Sequence, residues 1–112
     1  MTKQELFALL LDQFLTLNDN RDRLIAAATT GEEAAQILAA WRQANANQLD
    51  MGNRILIEDS QKLQDLIADL RATQGELETA IDHLKSVGGG LGRVLSIVNA
   101  AVSIGTQIVG IV

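Results

Sequence analysis

The chain has no proline, no cysteine and no tyrosine among its 112 residues, and only one histidine, one tryptophan and two phenylalanines. Each absence excludes a class of chemistry. Without cysteine there is no disulfide framework, no thiol nucleophile and no thiolate-based zinc or iron–sulfur centre. A lone histidine, His83, leaves His-rich metal sites and most His-based acid–base schemes without material. Nine Lys and Arg against fourteen Asp and Glu give a net charge of −5. That balance offers no cluster of cations to neutralise phosphates, so no nucleic-acid partner is expected. A long proline-free sequence rich in Ala, Leu, Gln and Glu reads as all-α. Its length suits one modest core and not two.

Charge is also missing from one end. All twenty-three charged side chains lie between Lys3 and Arg93, and residues 94–112 carry none. Six of the nine glycines, Gly88, Gly89, Gly90, Gly92, Gly105 and Gly110, fall in that region or just before it. The composition therefore divides the chain into a charged amphipathic helical body (1–87), a glycine hinge (88–92) and an apolar C-terminal helix (93–112). Gly88, Gly89, Gly90 and Gly92 form the hinge, because each glycine costs a helix about 1 kcal/mol relative to alanine. No secretory signal is read at the start. The run Leu6 to Leu17 is interrupted by Asp12 and lacks a basic segment and a small-residue cleavage site.

The body has the marks of several capped helices. Thr2 with Glu5 is a capping-box pattern, followed by Leu6, Leu10, Phe14 and Leu17 at helical spacing. This first helix can run on through Asn18-Asp19-Asn20 to the apolar stretch Leu24 to Ala28. Thr30-Gly31-Glu32-Glu33 repeats the capping pattern and opens a helix with Ala34, Ile37, Leu38, Trp41 and Ala44 on one face. Between Asn45 and Asn53 the signal weakens, and Asp50-Met51-Gly52-Asn53 suits a turn. Beyond it Leu63, Leu66, Leu70, Thr73, Leu77, Ala80, Leu84 and Val87 keep a 3-4-3-4 spacing, a heptad seam. An earlier seam of Ile37, Trp41, Ala44, Gln48, Met51 and Ile55 is one residue out of phase. Two helices separated near Gly52 explain the shift better than one helix with a stutter. The later seam fits a coiled coil with another chain or antiparallel packing within this one.

The uncharged tail is the most distinctive stretch. As a helix its nineteen residues span about 28 Å, close to the roughly 30 Å hydrocarbon thickness of a bilayer. Its polar and small residues are ordered: Gly92, Ser96, Asn99, Ser103, Thr106 and Gly110 recur at 4-3-4-3-4, with Gln107 beside them. In a membrane such a stripe lets helices approach and hydrogen-bond to one another, or line an uncharged pore. In a soluble bundle the same stripe is a wet face, although surface helices usually carry Lys and Glu there. A strand is the third reading, since nine of the nineteen residues are Val or Ile.

Catalysis finds no constellation. Glu32/Glu33 and Glu58/Asp59 are sequence neighbours that do not share a helix face, and Asp65/Asp69 flank the heptad seam as a solvated pair. His83 beside Lys85 suits a helix C-terminus, where cations favour the dipole. The glycine run follows a helix and lacks Gly-Lys-Ser/Thr, so it is no phosphate loop. No enzyme, cofactor or metal is expected. Phe14 to Trp41, with Leu24-Ile-Ala-Ala-Ala-Thr-Thr-Gly-Glu-Glu-Ala-Ala-Gln-Ile37, resembles the helical leader of Nif-eleven-type peptide precursors. Ser86-Val87-Gly88-Gly89 stands where those leaders end in a double glycine. This resemblance covers about a quarter of the chain; the body is longer than such leaders and the tail has no cysteine. It implies a precursor that releases a membrane-active peptide after the glycine run.

The composite expectation is an all-α, self-associating, non-enzymatic protein. Its C-terminal helix enters a membrane as an oligomeric anchor, scaffold or pore component, with lipid and further copies as partners. Lys85 and Arg93 precede that helix, so the positive-inside tendency leaves the body in the cytoplasm. The alternative is a soluble cytoplasmic bundle that buries the helix and works as an interaction module.

Overall fold

The protein is described from a computed structural model covering residues 3–53, 61–84 and 90–111. Among these residues there are four helices and no strand: α1 (Lys3–Ala27), α2 (Gly31–Gly52), α3 (Gln61–Asp82) and α4 (Leu91–Ile111). Thr2, Ile55, Glu58, Asp59, Lys85, Val87, Gly88 and Gly89 lie outside the described residues. So do the N-cap of α1, the ends of both seams and half of the glycine hinge.

Helix α1 does run through Asn18-Asp19-Asn20. The polar cluster is tolerated because its side chains find partners. Asn20 donates to the Thr16 carbonyl at 2.8 Å, and Asn18 accepts from the Trp41 indole N–H at 3.0 Å. Trp41 is half-buried, with the Arg21 guanidinium 4.9 Å above its ring and Phe14 at 6.1 Å. The tryptophan thus clamps α2 onto α1 from the side instead of filling the core.

The capping pattern at α2 is realised with one change. The Thr30 hydroxyl accepts from the Glu33 amide at 3.1 Å, as an N-cap should. Glu33 reaches past Thr30 to Thr29, accepting from its amide at 2.9 Å and its hydroxyl at 2.6 Å. Helix α2 ends at Gly52, and α3 begins afresh at Gln61, so two helices carry the two out-of-phase seams. On α3, Leu63, Leu70, Leu77 and Ala80 are buried and Leu66 and Thr73 half-buried, and Leu84 just beyond its end is buried too. The face also takes in Ile67, Gln74 and Ile81, because a straight helix of 3.6 residues per turn drifts off a strict heptad. The seam packs within the chain.

The helices alternate in direction. One apolar cluster joins Leu6 and Leu10 of α1, Met51 of α2, Leu63, Ile67 and Leu70 of α3, and Ile108 and Val109 of α4. The other joins Leu17 and Leu24 of α1, Ile37 and Ala44 of α2, Leu77 and Ile81 of α3, and Leu91, Val94 and Val98 of α4. Helix starts thus meet helix ends at both poles of a 43 × 22 × 19 Å up-down-up-down bundle. Helices α1–α2 and α3–α4 form closely packed hairpins, α4 lies against α2, and α2 and α3 occupy opposite corners. Arg23 of α1 donates to the Leu84 carbonyl at 3.1 Å, closing the C-terminal end of α3 from the neighbouring hairpin.

The compositional boundary is therefore a connection inside one core. Gly90 has φ +84°, a left-handed conformation that favours glycine. Its carbonyl accepts from the Val94 amide at 3.1 Å, so α4 starts two residues earlier than composition suggests. Gly92 belongs to the first turn of α4 and not to the hinge.

The Glu33 carboxyl titrates below the ordinary carboxylate range, chiefly because the Thr29 hydroxyl hydrogen-bonds the charged form. A depressed folded pKa contributes stability above the unfolded pKa, which is lost as pH falls through the folded value. Glu33→Gln is expected to flatten the acid limb of the stability–pH curve, measured by urea unfolding from neutral to acid pH. The neutral-pH loss should be small, because the group is solvated.

Candidate functional site: the apolar fourth helix and the polar layer beneath it

Helix α4 is the helix long and apolar enough to cross a membrane among the described residues, over Leu91–Gly110. Its β-branched residues do not make a strand. Val94, Val98, Val102, Ile108 and Val109 all point into the bundle, and burial against three other helices outweighs weak intrinsic preference. Leu91, Leu95 and Ala101 complete this inner face.

The expected polar stripe sits on the opposite side. Gly92, Ser96, Asn99, Ser103, Thr106, Gln107 and Gly110 are all exposed. Gln107 donates to the Ser103 hydroxyl at 3.5 Å, and the Thr106 hydroxyl donates to the Val102 carbonyl at 3.0 Å. The whole outer face of α4 carries a single charged side chain, Arg93. The other helices differ sharply. Exposed Asp12, Asp19 and Asp22 mark α1, Arg42 and Asp50 mark α2, and Lys62, Asp69 and Glu76 are among those on α3.

Beneath α4 lies a feature that heptad reading does not reveal. The two apolar clusters are separated by a polar layer to which each helix contributes at the same height. Gln13 follows Leu10 on α1, Asn47 follows Ala44 on α2, Gln74 follows Leu70 on α3, and Gly105 precedes Ile108 on α4. Gln13, Asn47 and Gln74 are 0%, 1% and 7% exposed. Asn47 donates to the Thr106 hydroxyl at 3.2 Å and accepts from Gln43 at 2.9 Å. Gln74 donates to the Thr16 hydroxyl at 2.8 Å. Among the described residues, neither amide atom of Gln13 has a hydrogen-bond partner, and neither does Oε1 of Gln74.

Gly105 makes room for this layer. A Cβ there would lie 3.1 Å from Gln13 Oε1, 3.1 Å from Asn47 Nδ2 and 3.2 Å from Leu10 Cδ2. The sequence signal was present: Gln13, Asn47, Gln74 and Gly105 each interrupt an apolar register, and the interruptions align only when the helices are stacked. Gln48, expected in the α2 seam, is buried too but turns its amide to Asn45 at 2.9 Å.

Asp65 accepts from Gln61 at 2.8 Å on the exposed side of α3, and His83 is exposed beyond its end. Among the described residues no group of three or more His, Cys, Asp or Glu could hold a metal ion. Comparison with protein-family models, curated proteins and solved structures finds no match for this chain.

Two glycine substitutions separate backbone preference from packing. Gly75 on α3 faces open space, so Gly75→Ala is expected to stabilise the fold by about 0.5–1 kcal/mol. Gly105→Ala gains the same helix preference but crowds three buried atoms, where overpacking costs about 1–3 kcal/mol. Urea midpoints of the two variants should move in opposite directions.

Proposed function

We propose that this chain is a non-enzymatic, self-associating helical protein that holds α4 within a bundle in water and yields it to a lipid bilayer. There α4 would act as an oligomeric anchor, a scaffold or a pore component. One observation carries this reading: past Arg93, α4 presents no charge on either face, while its bundle partners have charged outer faces. Moving a charged side chain to the bilayer centre costs at least about 2.5–3.5 kcal/mol, and α4 avoids that cost. In lipid the stripe of Ser96, Asn99, Ser103, Thr106 and Gln107 would pair between copies, because hydrocarbon offers no other partner. Arg93, in the first turn of α4, would hold the body on the cytoplasmic side. The apolar faces that α4 leaves on α1 to α3 would then be covered by the membrane interface or by other copies.

A second reading has its own support. The stripe faces away from the bundle, as a wet face does, so a permanently soluble interaction module also fits. Flotation of the full chain with phosphatidylcholine vesicles tells them apart. Delivery predicts a monodisperse protein in water that floats with lipid, whereas the soluble module stays at the bottom of the gradient. If copies line a pore, Asn99→Leu is expected to abolish dye leakage from the vesicles while flotation persists. Release of a peptide after the glycines, the third reading, predicts a fragment beginning near Gly90 or Leu91 by mass spectrometry.

A further inference from the structure

The polar layer gives α4 a means of leaving. We propose that Gln13, buried without partners against Gly105, is the release point that sets how readily α4 passes from the bundle to lipid; this rests on the membrane reading above. Unmet hydrogen-bond capacity in a core penalises the closed state, and the penalty disappears once the layer opens to water. Both amide atoms of Gln13 carry this penalty, and Oε1 of Gln74 adds to it. At Gly105 itself α4 contributes no side chain, and its hydrogen bonds to the layer are those of the Thr106 hydroxyl and the Val102 carbonyl to Asn47. On either side of these bonds α4 packs through apolar side chains, Val94 and Val98 towards one pole and Ile108 and Val109 towards the other. Opening at Gln13 therefore divides the α4 contact into two shorter apolar segments. The layer residue bonded to α4, Asn47, loses the Thr106 hydroxyl and the Val102 carbonyl as α4 leaves and keeps Gln43.

The test keeps the sequence of the membrane helix otherwise unchanged. Full-length protein bearing an environment-sensitive fluorophore at Ser103→Cys, an exposed position in a chain with no native cysteine, is mixed with phosphatidylcholine vesicles. Transfer of α4 appears as a blue shift. Gln13→Leu is expected to lower the transferred fraction about tenfold at a fixed lipid concentration, the response to a modest shift in the closed–open equilibrium. A stability-matched variant then isolates the layer. Gln13→Leu is combined with Ile37→Val or Leu24→Ala, whichever returns the urea midpoint to that of the parent. If the layer is the release point, transfer stays low in the matched variant. If transfer recovers, it follows global stability and the proposal is overturned. It is overturned equally if Gln13→Leu transfers like the parent. A parent protein that never shifts in the presence of vesicles removes the membrane reading itself, and the release point with it.

Discussion

A helix with Leu91, Val94, Leu95, Val98, Val102, Ile108 and Val109 along one side cannot leave that side in water. Full burial of such a side chain contributes about 1.5–3 kcal/mol relative to exposure, so covering this stripe constrains everything else. The rest of the fold supplies the cover. Helices α1, α2 and α3 are amphipathic, and each buries its own apolar face while closing over α4. The hairpins pack tightly within themselves, and α4 joins them through contacts with α3, α2 and, more briefly, α1. The Arg23 bond to the Leu84 carbonyl and the left-handed Gly90 fix where the chain turns into α4.

Against that apolar background the layer of Gln13, Asn47, Gln74 and Gly105 stands out energetically. A buried amide is costly unless paired, and pairing here is uneven: Asn47 is well satisfied, Gln74 partly, Gln13 not at all. One consequence is register. Sliding any helix by a turn would set an amide among leucines and a leucine against the glycine, which disfavours shifted packings. In the same layer, opening to water would relieve the unpaired amide of Gln13 at the cost of the Asn47–Thr106 bond. Specificity and weakness thus come from one set of residues.

Much of the helical plan was legible from local signals. Thr30 and Glu33 announced the start of α2, although Glu33 bonds Thr29 and not the capping residue itself. The phase change between Met51 and Leu63 identified two helices, because one helix cannot keep two offset seams facing one neighbour. The continuation of α1 through Asn18-Asp19-Asn20 was harder to read, since those residues favour turns when unpartnered. Trp41 supplies one of the partners from another helix, which no local pattern contains. The polar layer escaped for a related reason: a single Gln in an apolar register looks like noise until three other helices break register at the same height.

Composition and periodicity by themselves determined that this chain is all-α, with charge confined to its first 93 residues. They also determined that α4 has one apolar face and one small, polar face, because side-chain spacing follows from helix geometry alone. Which face turns inward was decided only by tertiary structure. Periodicity identifies a stripe but not what lies against it, and hydrocarbon, water and neighbouring helices all accept the same 3.5-residue repeat. In the folded chain the apolar face meets α1, α2 and α3, and the polar stripe is left outside except where Thr106 at its edge bonds Asn47. The choice follows from complementary apolar surfaces elsewhere in the sequence, distant along the chain and adjacent only after folding.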